Sequence, residues 1–226
     1  MATNTLLYTA EVDFPNAADL DPFVEWYAYR HAPDLFKLGF KSCASYRAVE
    51  GGMNIMDIYD MDSSAVFEST GYCDMSAVKD PYVKSIMRNA RREAATIYTQ
   101  RVVHPKNTVA IPLLDADWIL MLRFEALAAA DREIIGWLSD EEGPRQAKLG
   151  ATCLRYGWRS YDHPVLPTHR PRCILLAEWP TRPETRLKEL EEKFGDKVSP
   201  PEIYVGYRLY PWADRPLNER DGSRRR

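Results

Sequence analysis

Residues 6–14, LLYTAEVDF, put Leu6, Tyr8, Ala10, Val12 and Phe14 on one face. This is the period-two pattern of a strand with one buried side. The pattern then changes period: Phe23, Trp26, Tyr27 and His31 fall at helical spacing, the stripe of an amphipathic helix. Pro33 predicts that this helix ends, because proline drives its predecessor out of the helical region. PDLFKLG then reads as a further short helical turn between a proline start and a glycine stop. Strands are predicted in KSCASYRAVE and NIMDIYDM, joined across Gly51-Gly52 as a hairpin. A second helix is predicted over residues 80–94, with Asp80 as cap, Pro81 in the first turn and Tyr82, Val83, Ile86, Met87 and Ala90 inward. The strand ATIYTQRVV closes this half.

The chain then repeats its pattern. At one constant offset Trp26 meets Trp137, Pro33 meets Pro144, and Lys37-Leu38-Gly39 meets Lys148-Leu149-Gly150. YTQRVVHP from Tyr98 likewise matches YVGYRLYP from Tyr204. Such self-similarity implies a tandem duplication, with its junction near PKNTVAIPLLDAD. The second half offers the strands WILMLRFEA, TCLRYGWRSY, RCILLAEWP and IYVGYRLY. Its second helix, PETRLKELEEKF, places Leu187, Leu190 and Phe194 inward. WILMLRFEA is apolar on both faces, as a strand covered on both sides would be.

Each half therefore predicts β-α-β-β-α-β, the ferredoxin-like unit. A sheet with helices on one face leaves the other bare, and two such sheets can bury those faces against each other. The expected architecture is α+β, two tandem repeats forming a pseudo-dimeric α+β barrel. The expected division is a site-bearing repeat over residues 1–108, a second over 115–212, and a disordered tail over 213–226.

WYAYRHAPDLFKLGFKSCASY resembles the EthD-like branch of the dimeric α+β barrel superfamily. There the first helix ends in an aromatic-x-x-x-His-x-Pro pattern, followed by a Leu-x-Gly-like stop and a Tyr-bearing strand. Tyr27, His31, Pro33, Leu38, Gly39 and Tyr46 carry the resemblance here, which is best over residues 5–105. It implies a cofactor-independent enzyme that handles protons with a histidine and a tyrosine on an aromatic or polyketide-like carbonyl compound. His31 is the first residue it assigns and Tyr46 the second. Superfamily members include decarboxylases, cyclases, isomerases and monooxygenases; others bind haem, for which His31 or His104 could be the axial ligand.

The residues themselves add a physical case. A helix C-terminus stabilises an imidazolium and burial opposes it, so His31 at a helix exit would titrate near neutrality, as a general acid/base requires. The matching position in the second half is Glu142, so packing alone does not demand histidine. Asp57 lies in the row Met53, Ile55, Asp57, Tyr59, Met61, and a carboxylate there must be paired, protonated or at a cavity. It could orient His31, bind a substrate hydroxyl, or pair with Arg47 across the hairpin. Tyr27, Tyr46 and Tyr72 could each donate to a carbonyl gaining charge or simply pack; Trp26 matches Trp137 and reads best as packing beside the substrate. Tyr72 belongs to ESTGYCDMSAVK, which has no second-half counterpart and could be a lid.

Composition narrows the partners. The 226 residues are 45% hydrophobic, 28% charged and 12% aromatic, with net charge −3, so no overall basic field draws the chain to nucleic acid or anionic lipid. No secretion signal or spanning segment is evident. The four cysteines form no C-x-x-C pair, which points to reduced thiols and a cytoplasmic protein. His163 and His169 in DHPVLPTHRP are weak zinc evidence without a third ligand. The expected function is a cofactor-independent lyase, breaking a carbon–carbon bond or removing a carboxyl group from a small phenolic or polyketide-like carbonyl compound. The alternatives are an isomerase or cyclase, a haem protein, or a non-catalytic binder. Two chains could associate as a homodimer.

Overall fold

The alternation in the first strand, β1 (Thr5–Asp13), divides its side chains between two cores. Leu6, Tyr8 and Val12 pack under helices, while Leu7 and Glu11 turn into the interior of a barrel. The other strands are β2 (Ser42–Glu50), β3 (Ile55–Met61), β4 (Arg92–His104), β5 (Trp118–Phe124), β6 (Cys153–Tyr161), β7 (Cys173–Trp179) and β8 (Glu202–Tyr210). All neighbours pair antiparallel in the closed order β1-β3-β2-β8-β5-β7-β6-β4. The seams between the halves are β2–β8 and β4–β6. Closure leaves no open sheet edge. This computed structural model describes residues 5–76, 81–108, 110–164, 166, 168, 170–184 and 189–211. Asp80, His169, Leu187 and the tail over 213–226 lie outside the described residues.

The first helix does not stop at the proline. It runs through α1 (Leu20–Trp26), a π-helical turn (Tyr27–His31) and α2 (Ala32–Lys37). The wide turn is closed by Ala32 N–H donating to the Tyr27 carbonyl, five residues back. A proline in a regular helix would press its ring on the carbonyl four residues behind and lack the N–H to bond it; a π turn inserts one residue and shifts that carbonyl aside. The helix stops where Gly39 turns left-handed at φ 102°. The second half repeats the device through α5 (Asp131–Trp137), a π turn (Leu138–Glu142) and α6 (Gly143–Leu149), ending at Gly150 with φ 116°.

In the first half α3 (Thr70–Ser76) and α4 (Pro81–Met87) follow β3. The helix expected over residues 80–94 is shorter than its sequence pattern. Arg91 N–H already bonds the Asp13 carbonyl at 2.9 Å, and β1 pairing captures the chain from Arg92. Of the expected inward stripe, Ile86 is buried, whereas Tyr82 is exposed beneath the Arg30 guanidinium. In the second half α7 (Glu189–Phe194) buries Leu190 and Phe194. Gly51, left-handed at φ 68°, lies so close to the Ile203 carbonyl that a Cβ would overlap it.

Two ionic clusters are sealed inside the barrel. Arg155 donates to Glu178 at 2.6 Å, Asp60 at 2.9 Å and the Pro112 carbonyl at 2.9 Å. Glu11 accepts from Arg123 and, in bidentate fashion, from Arg170. The alternate strand positions predicted as bare sheet faces therefore meet as a core that is part apolar and part charged.

Candidate functional site

His31 closes the π turn above the β1–β3–β2 sheet. Its half-buried ring stacks on Trp26, with centroids 4.6 Å apart, and lies 5.5 Å from the Tyr27 ring. Neither nitrogen bonds a described residue. Because the helix continues for another turn and a half, His31 does not sit at the negative end of a helix dipole. The expected balance near neutrality fails for that reason. Burial pushes the imidazole down to about 4, against a smaller opposing pull from Asp34. At neutral pH His31 is an uncharged base.

Asp57 projects from β3 into the same helix–sheet layer, on the side of Ile55, Tyr59 and Met61. Burial pushes its carboxyl up to about 8, so at neutral pH it is a protonated acid and a hydrogen-bond donor. No ion pair joins it to Arg47. Ser45, its cross-strand partner, is near enough to offset part of the rise but not in hydrogen-bond geometry. Tyr27 is the common neighbour: its ring touches His31, and its hydroxyl feels Tyr59 and Asp57, with burial the main cause of its high pKa. Tyr27 Oη, Ser45 Oγ and Asp57 Oδ1 are all buried without a hydrogen-bond partner among the described residues. Buried polar atoms are nearly always bonded; three orphans in one layer mark a place for a polar ligand or water.

The other sequence candidates fall elsewhere. Tyr46 faces the barrel interior, donating to the Ala116 carbonyl at 2.9 Å, so the sheet separates it from His31. Its neighbour Ser45 faces the layer instead, since adjacent strand residues point to opposite sides. Tyr72 pairs at 2.9 Å with Nε2 of His163, from the β6–β7 segment. Tyr59 and Tyr210 also belong to this layer, beyond the residues the sequence points to. Tyr59 lies two positions from Asp57 in the flagged row. Tyr210, on β8, sets its ring 5.5 Å from Tyr27, a contact made only by closing the barrel.

In the second half, Glu142 takes the place of His31 and is 2% exposed. It accepts from Arg145 at 2.7 and 2.8 Å and from Gln146 at 2.6 Å. Glu142 and Arg145 line a cleft of about 350 Å³ with Trp137, Glu141, Glu189, Glu192 and Lys193. The described residues hold no cluster of three metal-ligating side chains, and no described helix is long and apolar enough to cross a membrane. His104 packs against Gly143, where a Cβ would meet its side chain at 2.6 Å.

These protonation states make stability peak near pH 6.5. His31 and His163, the latter also pushed down to about 4 by burial, stay neutral in the fold but bind protons when unfolded below about 6.5, so stability falls on acidification. Asp57 holds a proton in the fold that the unfolded chain releases above about 4, so its contribution falls as pH rises to about 8. Two imidazoles outweigh one carboxyl below 6.5, and above it Asp57 leads until pH nears the range of free thiols, where the buried Cys43, Cys153 and Cys173 add to the decline. Asp57→Asn should remove the decline below the thiol range, a gain over wild type of roughly 4 kcal/mol between pH 4 and 7. Urea midpoints from pH 5 to 8.5 measure this; such a decline persisting in the variant contradicts the assignment.

No known family profile and no curated protein matches the chain in sequence. Solved structures do match. An anthrone oxidase-like protein superposes with TM-score 0.57 at 11% identity, covering 92% of each chain. A heme-binding protein from Thermus thermophilus gives 0.51 at 11%, covering 91% of each. Chlorite dismutase from Candidatus Nitrospira defluvii gives 0.53 at 8%, covering 98% of this chain and 95% of the other. With its closed eight-stranded antiparallel sheet and outer helices, the chain has the dimeric α+β barrel fold.

Proposed function

We propose that the chain is a cofactor-independent enzyme that moves a proton on a small phenolic or polyketide-like carbonyl compound. The observation that carries this is the set of buried, unbonded polar atoms on Tyr27, Ser45 and Asp57 in the same layer as an uncharged His31. His31 takes a proton from a substrate hydroxyl or activated carbon. The electron pair moves onto the carbonyl oxygen, where the Asp57 carboxylic acid and the Tyr27 hydroxyl donate to it; a neutral acid is suited to this role because it has a proton to give. In the lyase case the proton His31 takes is that of the substrate's carboxyl group: the carbon–carbon bond to that carboxyl breaks, carbon dioxide leaves, the bonding pair passes to the carbonyl oxygen as an enolate, and the imidazolium returns its proton to carbon. That is the lyase outcome we favour; isomerisation or cyclisation would use the same groups. Trp26 and Tyr72 supply aromatic surface, and Tyr46 supports the strand from inside the barrel.

The matching π turns and strand orders support a duplication, in which the EthD-like first half keeps the site and the second, with Glu142, has lost it. A homodimer is not needed to close the barrel.

A second reading is haem binding, favoured by the heme-binding and chlorite dismutase structural neighbours. His31 or His104, whose Nδ1 is buried without a partner among the described residues, would hold the iron, since both His163 nitrogens are engaged. Haem would bring one-electron chemistry. The second-half cleft suits it poorly, because four glutamates would face the propionates.

Incubating the protein with anthrone, or with a dihydroxybenzoate, in deuterated buffer separates the readings. Proton NMR should show deuterium entering the activated carbon faster than in buffer, with the rate falling above pH 8 as Asp57 ionises. No enhanced exchange across both compounds, together with a Soret band gained on adding haemin and lost in His31→Ala or His104→Ala, would favour haem.

A further inference from the structure

The described residues between β6 and β7, 162–164, 166, 168 and 170–172, reach out of the second half and lie against the first. Its far end is anchored: Arg170 makes bidentate bonds of 2.7 and 2.8 Å to buried Glu11, and the Thr168 hydroxyl donates to the Ala95 carbonyl. The near end is held differently. The Leu166 amide donates to His163 Nδ1 at 2.9 Å, so in the neutral ring the hydrogen is on Nε2, which points at Tyr72 Oη 2.9 Å away. The imidazole stacks on Tyr8, centroids 5.4 Å apart, and meets Phe67 edge-on at 5.2 Å. Tyr8 in turn stacks on Tyr59 at 5.0 Å, and Tyr59 lies 6.3 Å from Tyr27. His163 is thus the outermost ring of a row that leads inward to the orphaned hydroxyl of Tyr27. The first half has nothing comparable: its corresponding connection is the short turn at Gly51 and Gly52.

We propose that this segment is a cover over the first-half layer, anchored at Arg170 and latched by the hydrogen bond between His163 and Tyr72. One half of the chain then controls entry to the site in the other. The Arg170 anchor and the pairing of Tyr161 with Ile97 hold the two ends, and the stretch around His163 lifts between them when its bond to Tyr72 breaks. Tyr72 is a positioning residue for the cover and has no part in proton transfer. The proposal concerns the same layer as the proposed function, but access can be read without turnover.

Cys43 supplies the readout. It is buried on the floor of the layer, paired across β2–β3 with Tyr59, while Cys153 is buried in the second half and serves as a control. In the full chain carrying Cys73→Ser, which removes the exposed thiol, N-ethylmaleimide labelling of each cysteine is followed by peptide mass spectrometry. Tyr72→Phe, which deletes the latch with little change in shape, should raise the Cys43 rate roughly tenfold, the change expected from losing one buried hydrogen bond. The Cys153 rate should stay within twofold. His163→Ala should act similarly, and the double variant should exceed the larger single effect by less than twofold. An unchanged Cys43 rate in both single variants overturns the proposal. So does a parallel rise at Cys153, which would mean general loosening rather than an opening cover.

Discussion

His31→Ala should lower turnover of whichever phenolic or polyketide-like carbonyl compound the chain processes by at least about a hundredfold, the scale of a lost general base. The ring is half-buried, stacked on Trp26 and tilted against Tyr27, so its removal leaves the core and the helix backbone in place. The loss should therefore fall on kcat, with KM changed much less and the unfolding midpoint nearly constant. His31→Gln should be equally slow, because an amide keeps the shape without the basic nitrogen. Steady-state kinetics on the purified variants decide the matter: activity within threefold of wild type would remove His31 from the chemistry.

Arg155→Met should cost about 3–5 kcal/mol of folding stability, a large share of what a domain possesses. The guanidinium is 1% exposed and faces Asp60 and Glu178 from neighbouring elements. Without it two carboxylates remain in the barrel interior with no cation to offset them. Gln100 and Ser42 still bond Asp60 at 2.7 Å, which moderates the loss without cancelling the charge. The single variant could fail to fold, so the discriminating experiment adds a second one. Arg155→Met with Asp60→Asn and Glu178→Gln removes the charges together and should recover most of the stability, since neutral replacements of a whole buried cluster are often harmless. A urea midpoint for Arg155→Met close to wild type would show that the cluster is not doing this.

The fold was legible because its signals are local. Alternation in LLYTAEVDF, the repeated Trp, Pro and Lys-Leu-Gly positions, and the turn at Gly51-Gly52 each report on a few neighbouring residues, and together they specify strand and helix order. Asp57 stood out for the same reason, as a charge in an apolar row. What the sequence concealed depends on closure. Glu11, Arg123 and Arg155 sit at strand positions that look solvent-facing until the second sheet covers them. Tyr210 and His163 enter the first half only through the seams and the long β6–β7 connection. Tyr46 was drawn in by the motif, although one-residue alternation gives the layer to Ser45. The environment of His31 escapes the sequence because a proline ordinarily ends a helix, whereas this helix widens and goes on.

That widened turn ties two features together. Deleting the surplus residue would restore a regular helix and drive Pro33 into the carbonyl then four places behind it, while replacing Pro33 alone would leave a bulge that no longer relieves any clash. Neither can be lost without penalising the other. The side chain at the end of the turn carries no such obligation, which is how histidine in one half and glutamate in the other can occupy equivalent backbone.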